Sequence, residues 1–435
     1  MQFKRLRYLQ KAVSSIGNGM VKIVTGPRRS GKSYFLFTLF AGYLRDHGVK
    51  DDHIITLQLD KLGNERYRDV NELAKYFQER RTKDGKTQFF LIDEIQLVPP
   101  KENPWVKGQM ITFYDVLNEF LSYPDTEIFV TGSNSHLLSS DIATEFRGRG
   151  WQIPMYPLSF AEIREVTPSS VSDYELWESF YRYGGLPACA NEPDAGKKRK
   201  YLSEIFETTY LRDIADRHNL RDDVPLRELT GFLATSVGSL ISPNKISNAF
   251  RSREGLKTAP ATVNRYISYL QDAFLVSEAR RYDLKGKSII GGKLKVYFDD
   301  LGLRSAAAGF KGMDQEPHFM ENAIYNELIA RGYQVDVGVI TANESINGRQ
   351  TKVTREVDFV VDDYGERFYI QSALYLPDEA KVAQEKTSLK KIDDSFQKII
   401  ITKFTSGISY DPDGIVRMGL FDFFKDKEFF KRRIS

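Results

Sequence analysis

Eight consecutive residues near the start of the chain have the types and the spacing of a phosphate-binding loop. Positions 26–33 read Gly-Pro-Arg-Arg-Ser-Gly-Lys-Ser and fit the pattern Gly-x-x-x-x-Gly-Lys-Ser/Thr. Glycines let backbone N–H groups close around phosphate oxygens, and a following helix adds the positive end of its dipole. We therefore predict a nucleotide-binding segment made of Gly26, Pro27, Arg28, Arg29, Ser30, Gly31, Lys32, Ser33 and Tyr34.

Two side chains of this loop predict a specific chemistry. Lys32 is placed to reach the β- and γ-phosphates of a nucleoside triphosphate, and Ser33 offers a hydroxyl to Mg²⁺. Such a site stabilises charge on a transferring phosphoryl group, which is most of what its catalysis requires. A chance match is the alternative, and the predicted strand before the loop and helix after it argue against chance.

An apolar strand farther along the chain ends in two adjacent carboxylates. Residues 89–92 are Phe-Phe-Leu-Ile, and Asp93 and Glu94 follow directly. In a phosphoryl-transfer site, one such acid lies near Mg²⁺ and another near the attacking water. We therefore predict that Asp93 binds the metal and that Glu94 is the general base. A strand end that simply meets solvent is the alternative, and the phosphate motif argues against it.

A third strand, residues 127–131, runs into a polar turn that contains Ser133 and Asn134. A side-chain donor at this turn would sense the γ-phosphate, and we predict Asn134 for this role with Ser133 as the alternative. Both residues would equally suit the N-cap of a helix. Arg149, with Arg147 as the alternative, would supply an arginine finger in cis or to a neighbouring subunit, unless both are solvated surface.

The segments around these motifs alternate between two kinds of pattern. Short apolar or β-branched runs at 21–25, 53–59, 88–92 and 127–131 are typical of strands, and the run at 34–44 is long enough for a helix. Strands that alternate with helices favour a parallel sheet with helices on both faces. We therefore predict an α/β fold of the P-loop NTPase type.

From about residue 158 the sequence becomes helical and rich in aromatic residues. Apolar positions at helical spacing are Val263, Tyr266, Ile267 and Leu270. Strand-like stretches at 274–282 and 294–298 follow, joined through glycines, and a helix with such a hairpin is typical of a winged helix. We predict three domains: a P-loop core at 1–160, a helical and winged-helix segment at 161–310, and a small α/β domain at 311–435.

The composition bounds the class of protein. Apolar residues make up 41% and charged residues 28% of the 435 residues, which is typical of a folded soluble protein. The formal net charge of +3 provides no global attraction to nucleic acid. The single Cys189 and five scattered histidines predict neither an internal disulfide nor a zinc site. Without a secretory signal or a membrane-spanning run, we predict a cytoplasmic protein with no membrane partner.

Several short segments occur in an informative order along the chain. They are Gly-Pro-Arg-Arg-Ser-Gly-Lys-Ser at 26–33, Leu-Ile-Asp-Glu-Ile-Gln at 91–96, Thr-Gly-Ser-Asn-Ser at 131–135, Arg-Gly-Arg at 147–149, Pro-Leu-Ser-Phe at 157–160, Tyr-Gly-Gly-Leu-Pro at 183–187 and Leu-Arg-Asp-Ile at 211–214. With these segments the chain resembles prokaryotic AAA+ ATPases that carry a C-terminal domain of unknown function. The resemblance covers nearly the whole chain and implies ATP as the nucleotide, bound with Mg²⁺.

The resemblance also implies a nuclease-like fold in the last section. A restriction-endonuclease-like fold places an acid on its first helix, an aspartate on one strand and Glu-x-Lys on the next. Glu321 and Asp358 fit the first two places, but Gln371 replaces the third acid and Ala373 replaces the lysine. We therefore expect a degenerate site with weak or absent metal binding and no cleavage. A solvated helix carboxylate and a structural aspartate are the alternative roles of Glu321 and Asp358.

Candidate DNA contacts lie in the predicted winged helix. Asn264 and Arg265 fall on the helix face away from the apolar stripe, and Arg280 and Arg281 lie near the wing. Winged helices also bind proteins, so both a DNA partner and a protein partner stay open.

Three hypotheses of function follow. The first is an ATPase that acts as a nucleotide-driven switch on a DNA or protein partner. The second is an ATP-dependent DNA-processing nuclease, against which the Gln371–Ala373 segment argues. The third is a nucleotide-binding scaffold that does not hydrolyse ATP, against which the Asp93-Glu94 pair argues. The sequence leaves the oligomeric state open.

Overall fold

The computed structural model describes residues 2–82, 84–132, 146, 148–253, 258–346, 349–363 and 365–426. They divide into two units. The first comprises Met1–Pro157 and Asp272–Phe274, and the second comprises Leu158–Gln271 and Leu275–Ser435. Asn134, Ser133 and Arg147, for which we predicted catalytic roles, lie outside the described residues.

The first unit is built on a five-stranded sheet whose strands are all parallel. The strands of the first unit, in chain order, are β1 (Val21–Thr25), β2 (Ile54–Gln58), β3 (Gln88–Asp93), β4 (Lys101–Glu102), β5 (Met110–Ile111), β6 (Thr126–Gly132) and β7 (Gly150–Pro154). The order across the sheet is β2-β3-β6-β1-β7, and β4 and β5 form a separate hairpin. Because all five strands run the same way, their carboxyl ends meet at one edge of the sheet.

Alternate residues along these strands build two cores, one on each face of the sheet. Phe90, Ile92 and Val130 belong to one core, whereas Leu91 and Phe129 belong to the other. The helices of the unit are Leu6–Ser14, Lys32–Tyr34 continuing through the π-helical Phe35–Phe40 into Ala41–Asp46, Val70–Arg80 and Phe113–Phe120, with short 3₁₀ turns at Asp51–His53, Leu62–Arg68 and Ile95–Leu97. The predicted parallel α/β fold is thereby confirmed.

Strand β7 and the β4–β5 hairpin did not emerge from the sequence. Trp151 and Gln152 of β7 are exposed, so the strand lacks the continuous apolar run that marks a buried strand. It pairs with β1 from Val21↔Gly150 to Thr25↔Pro154 and closes one edge of the sheet.

The second unit combines helices with an eight-stranded mixed sheet. The sheet has the order β14-β15-β13-β12-β11-β10-β8-β9. Its strands are β8 (Val276–Asp283), β9 (Ser288–Phe298), β10 (Gln334–Ile346), β11 (Arg349–Asp363), β12 (Glu366–Ala373), β13 (Gln397–Thr402), β14 (Ile408–Tyr410) and β15 (Val416–Gly419).

Most helices of the second unit precede the sheet in the sequence, and the others lie between or after its strands. The helices are Phe160–Val166, Asp173–Tyr183, Pro187–Asn191, Ala195–Glu204 continuing through Ile205–Leu211 into Arg212–Arg217, Val224–Thr235, Pro243–Arg253, Pro260–Asp272, Leu301–Ala307, Glu316–Arg331, Glu379–Lys390 and Leu420–Lys425. Among the described residues, no helix combines the length and the apolar character needed to cross a membrane.

The predicted winged-helix region has the expected element order. Helices Val224–Thr235, Pro243–Arg253 and Pro260–Asp272 precede the β8–β9 hairpin, and Ile241 pairs with Leu294 of β9. However, β8 also pairs with β10, so the hairpin belongs to the C-terminal sheet. The boundary predicted near residue 310 therefore does not separate two compact units, and the three-domain division stays a prediction.

The segment Tyr183–Pro187 allows two parts of the second unit to pack closely against each other. Gly185 donates its N–H to Asp300 at 2.7 Å and accepts from the N–H of Leu158 at 2.8 Å. A Cβ on Gly184 would lie 2.2 Å from the Asp300 carboxylate, and one on Gly185 would lie 2.0 Å from the Leu158 carbonyl oxygen. The two glycines are required because the backbone of the helical bundle and the N-cap of Leu301–Ala307 approach here without room for side chains.

We expect Gly185→Ala to lower the free energy of unfolding by about 1–3 kcal/mol, because its Cβ would overlap a backbone carbonyl that cannot move aside. Urea unfolding followed by circular dichroism measures the change. Gly231→Ala is the matched control, because Gly231 lies in the middle of a helix and a Cβ there would be 3.5 Å from the nearest atom. This variant should raise the free energy of unfolding by about 0.4–1 kcal/mol. Equal midpoints for the two variants would contradict the packing role.

Candidate nucleotide-binding site

The phosphate-binding loop leaves β1 at the carboxyl edge of the sheet, and its backbone matches the predicted role. Gly26 has φ 138° and Gly31 has φ 96°, both in the region that favours glycine. A Cβ on Gly26 would lie 2.0 Å from the carbonyl oxygen of Met155, so only glycine fits against β7 and its continuation. Arg29 also has a positive φ, 65°, which completes the turn before the helix at Lys32.

Lys32 folds back onto this loop. Its Nζ donates to the carbonyl oxygens of Gly26 and Pro27, each at 2.9 Å, and its side chain is buried. Burial lowers the pKa of Lys32 to about 8, although the charges of Glu94 and Asp93 offset part of this effect. A phosphate group would add further negative charge beside this buried ammonium.

We expect binding of a non-hydrolysable ATP analogue to take up protons between pH 7 and 9. The free protein loses the Lys32 proton as pH rises through about 8, whereas bound phosphates raise its pKa, so the dissociation constant should increase about tenfold over this range. Isothermal titration calorimetry in two buffers with different ionisation enthalpies measures the uptake. Lys32→Arg, which stays protonated, should abolish it. Equal apparent enthalpies for the wild type in both buffers would contradict the assignment.

Asp93 and Ser33, which we predicted as metal ligands, both lie at the carboxyl edge of the sheet. The Asp93 carboxylate accepts a hydrogen bond from the hydroxyl of Thr131, and Asp93 is buried. Burial raises the pKa of Asp93, and the hydroxyls of Thr131 and Ser33 lower it again in part. A hydroxyl and a carboxylate side by side are hard oxygen ligands of the kind that Mg²⁺ prefers.

Glu94 follows with an unusual backbone. Its φ of 55° and ψ of 47° are left-handed, which costs free energy for a residue other than glycine. Its N–H donates to Thr131 Oγ1 at 3.0 Å, and its carboxylate accepts a hydrogen bond from the side-chain amide of Gln96. The side chain is half-buried, and the charges of Glu94 and Lys32 interact.

The residues present fit a nucleoside triphosphate with Mg²⁺. The hydroxyls of Thr25 and Ser30 are buried in the strand end and the loop, and neither has a hydrogen-bond partner among the described residues. Orphaned donors beside a glycine cradle are what phosphate oxygens would satisfy. Arg28 and Gly31 are half-buried, while Arg29 and Tyr34 are exposed, so the inner side of the loop is formed by Gly26, Pro27, Ser30 and Lys32.

Arg149 lies away from this site within its own chain. Its carbonyl oxygen accepts from the N–H of Val21, the first residue of β1, whereas the loop follows Thr25 at the other end of that strand. Five residues of strand separate the two ends by roughly 15 Å. Action of Arg149 in cis is therefore incompatible with this fold, and its action on a neighbouring subunit stays a prediction.

The second unit contains a buried charged cluster around Lys295. The Lys295 ammonium lies 2.8 Å from Glu321, 2.5 Å from Glu356 and 3.5 Å from Asp358. Tyr297 donates to Glu321 at 2.7 Å. Ala373 stands where the Glu-x-Lys pattern would have its lysine, as the sequence has it. An amine lies among the acids all the same, because β9 supplies Lys295 from outside that position.

Electrostatics tie the Lys295 cluster together. Burial by itself would lower the pKa of Lys295, but the charges of Glu321, Asp358 and Glu356 outweigh it and raise the pKa. Burial raises the pKa of Asp358, and the Glu321 charge raises it further. Since the ammonium contacts all three carboxylates, it holds the central position between them. The alternative of a solvated carboxylate for Glu321 is wrong, because its side chain is buried.

Gln371 and the predicted DNA contacts have distinct surroundings. Asp358 accepts from the Ser372 N–H at 2.9 Å, while the amide oxygen of the adjacent Gln371 is buried without a hydrogen-bond partner among the described residues.

Asn264 and Arg265 are exposed. Arg280 is exposed and lies 3.7 Å from Asp336, while Arg281 is half-buried and its charge lowers the pKa of Glu356.

Thr131, Gln96, Glu356 and Lys295 were not predicted as site residues from the sequence. Thr131 and Gln96 lie within the segments 131–135 and 91–96, one residue before Gly132 and two after Glu94, but single polar residues there have no distinctive pattern. Lys295 could have been found from the sequence. It lies among apolar residues of one strand, with Leu294 before it and Val296 and Tyr297 after it, and a lysine buried in a strand needs a carboxylate partner.

The parallel sheet with β3 and β6 beside β1, the glycine loop at Gly26–Ser33 and the Asp93-Glu94 strand end define a P-loop fold of the AAA class. Residues 18–164 match a family described as "AAA domain", and residues 174–314 match the "Domain of unknown function (DUF8612)". An uncharacterized protein of Haemophilus influenzae is 34% identical over 403 residues, which cover 92% of each chain. The chain belongs to this prokaryotic family, in which an AAA domain precedes a domain of unknown function.

More distant similarity extends to archaea. An uncharacterized protein of Methanocaldococcus jannaschii is 28% identical over 385 residues, which cover 85% of this chain and 78% of that protein. Among solved structures, the Aeropyrum pernix Orc1 protein in complex with DNA is 12% identical, with a TM-score of 0.31 over 73% of this chain and 95% of that chain.

Proposed function

We propose that the first unit hydrolyses ATP with Mg²⁺ and that the nucleotide state switches the second unit's hold on a DNA or protein partner. One observation carries the hydrolysis: Asp93 and Glu94 are fixed together by Thr131 at the carboxyl edge of the sheet, and both carry charges that interact with the buried Lys32 of the loop. Together with Ser33, the two acids and the lysine are the four side chains that phosphoryl transfer to water requires.

Each side chain has a role that follows from its surroundings. Lys32 exchanges its two carbonyl partners for the β- and γ-phosphates. Ser33 and Asp93 would hold the metal, which when bound would neutralise charge on the phosphate oxygens. Glu94 takes a proton from the attacking water, for which its carboxylate must leave or share its hydrogen bond with Gln96. Asn134 remains our candidate for sensing the γ-phosphate.

For the partner, we propose duplex DNA on the winged-helix surface, with a protein partner as the alternative. Asn264 and Arg265 are exposed on the helix Pro260–Asp272, which has Val263, Tyr266, Ile267 and Leu270 as its buried stripe. Lys285, Lys287 and Lys293 are exposed around the turn of the β8–β9 hairpin. Recognition helices and basic wings bind DNA in this arrangement, the first in a groove and the second on phosphates.

The test is Mg²⁺-dependent ATP turnover of the full chain, with and without duplex DNA. We expect turnover in the wild type, none in Lys32→Ala, and stimulation by DNA that the double variant Asn264→Ala/Arg265→Ala loses. Lys61→Ala, an exposed lysine of the first unit, is the matched control for the surface change and should keep the stimulation. ATP binding with no turnover under any of these conditions would instead support a scaffold.

The same samples test the nuclease alternative. Lys295 fills the centre of the acidic cluster, and Gln371 provides a neutral amide where a third acid would stand, so we expect duplex DNA to stay intact with Mg²⁺ and ATP. Cleavage that needs ATP and that both Asp358→Asn and Lys32→Ala abolish would replace the switch by an ATP-dependent DNA-processing nuclease.

A further inference from the structure

Thr131 joins the two predicted catalytic acids through one hydroxyl group. Its Oγ1 donates to Asp93 Oδ1 and accepts from the N–H of Glu94 at 3.0 Å. The side chain is fully buried at the carboxyl end of β6, between β3 and β1. A buried hydroxyl that donates to one acid and accepts from the backbone of the next fixes both at once.

The backbone conformation of Glu94 makes its hydrogen bond to Thr131 important. A left-handed conformation of a residue other than glycine persists only where its surroundings impose it. The N–H of Glu94 has Thr131 as its partner, and its carbonyl oxygen accepts from the N–H of Leu97 at 3.0 Å. The conformation turns the Glu94 side chain away from the line of β3, where Gln96 holds its carboxylate.

The β6 strand also connects this link to the phosphate-binding loop. Val24 pairs with Thr131, and Thr25 pairs with Gly132, so the two strand ends are in register. The Ser33 hydroxyl, at the start of the loop helix, is near enough to Asp93 to lower its pKa. Asp93, Thr131 and the Glu94 backbone therefore form one continuous chain of hydrogen bonds beside the loop.

From this chain we infer that Thr131 is a positioning residue for the ATPase reaction, which sets both the metal-binding orientation of Asp93 and the backbone turn that aims Glu94. The inference rests on the proposed hydrolysis. Valine, which has the same shape, removes the donor and the acceptor together. Serine keeps both and loses only a methyl group.

The experiment compares Thr131→Val, Thr131→Ser and Thr126→Val in the full chain. Thr126 is the matched control: it lies on the same strand, is buried, and its hydroxyl has no hydrogen-bond partner among the described residues. We measure kcat and KM for ATP, the Mg²⁺ concentration that gives half-maximal turnover, and the thermal midpoint.

For Thr131→Val we expect kcat to fall at least about tenfold and the half-saturating Mg²⁺ concentration to rise several-fold, because displacing reacting groups by a fraction of an ångström has effects of this order. The affinity for ATP without Mg²⁺ should stay within about twofold of the wild type. Thr131→Ser should restore kcat to within about threefold, and Thr126→Val should match the wild type.

A purely structural role would lower the thermal midpoint of Thr131→Val and reduce kcat without moving the half-saturating Mg²⁺ concentration, and this result would overturn the inference. Failure of the proposed ATP hydrolysis can be told apart from failure of the inference about Thr131. If the wild type binds but does not hydrolyse ATP, the Mg²⁺ dependence of binding by a non-hydrolysable analogue still reports on Asp93. A dependence that Thr131→Val leaves unchanged also overturns the inference.

Discussion

Glu94→Gln is expected to reduce ATP turnover at least about 100-fold while the affinity for ATP stays within a few-fold of the wild type. The substitution keeps the size of the side chain and removes the negative charge that takes a proton from water, and general-base catalysis contributes effects of this size. The hydrogen bond from Gln96 can turn to the new amide oxygen, so folding is preserved. Steady-state kinetics and equilibrium binding of a fluorescent ATP analogue measure the two quantities.

Glu102→Gln serves as the matched control for Glu94→Gln. Glu102 is an exposed glutamate on β4 of the same unit, so its neutralisation tests the effect of net charge alone. We expect wild-type turnover for this variant. If Glu94→Gln retains more than about a tenth of the wild-type kcat, Glu94 is not the general base, and the proposed mechanism must place the base outside the Asp93-Glu94 pair.

Lys295→Met is expected to lower the free energy of unfolding by about 3–5 kcal/mol, because removing one member of a buried ion cluster leaves its partners charged and uncompensated. Glu321, Glu356 and Asp358 would then share a site without the ammonium that contacts all three. Urea unfolding at pH 7.5, followed by tyrosine and tryptophan fluorescence, measures the loss.

The matched control is Lys293→Met, two residues earlier in β9, where the side chain is exposed. A surface change of this kind costs within about 0.5 kcal/mol. A loss in Lys295→Met no larger than that of Lys293→Met would show that the cluster does not stabilise the C-terminal sheet.

The pH dependence of the Lys295→Met loss has a definite sign. Burial already raises the pKa of Asp358 and of Glu356 while the ammonium is present, and its removal raises both pKa values further. A carboxyl whose folded pKa lies above its unfolded pKa destabilises the protein when it is ionised, and the effect disappears on protonation. The deficit should therefore be largest near pH 8 and shrink towards pH 5.

Much of the fold could be predicted because three strands of the first unit are buried along their whole length. β1, β3 and β6 consist mostly of apolar residues, and such runs indicate a strand without reference to any other part of the chain. β7 could not be predicted in this way. Its exposed Trp151 and Gln152 break the pattern, and it is a strand because β1 provides its hydrogen bonds.

The C-terminal unit shows a similar division. The helix Pro260–Asp272 and the β8–β9 hairpin follow local periodicity and turn chemistry, so they were predictable. The pairing of β8 with β10 joins residues more than fifty positions apart, and no local pattern encodes it. This pairing places the hairpin in the C-terminal sheet.

The sequence by itself determined the phosphate-binding loop and the acid pair, because each consists of consecutive residues whose backbone and side chains act together. The tertiary structure decided which single polar residues serve these motifs. Thr131 reaches Asp93 through the adjacency of β6 and β3, and Lys295 reaches Glu321 and Asp358 across 26 and 63 positions of the chain. Hydrogen bonds and ion pairs depend on distance in space, and distance between remote residues is set only when the sheets and helices pack.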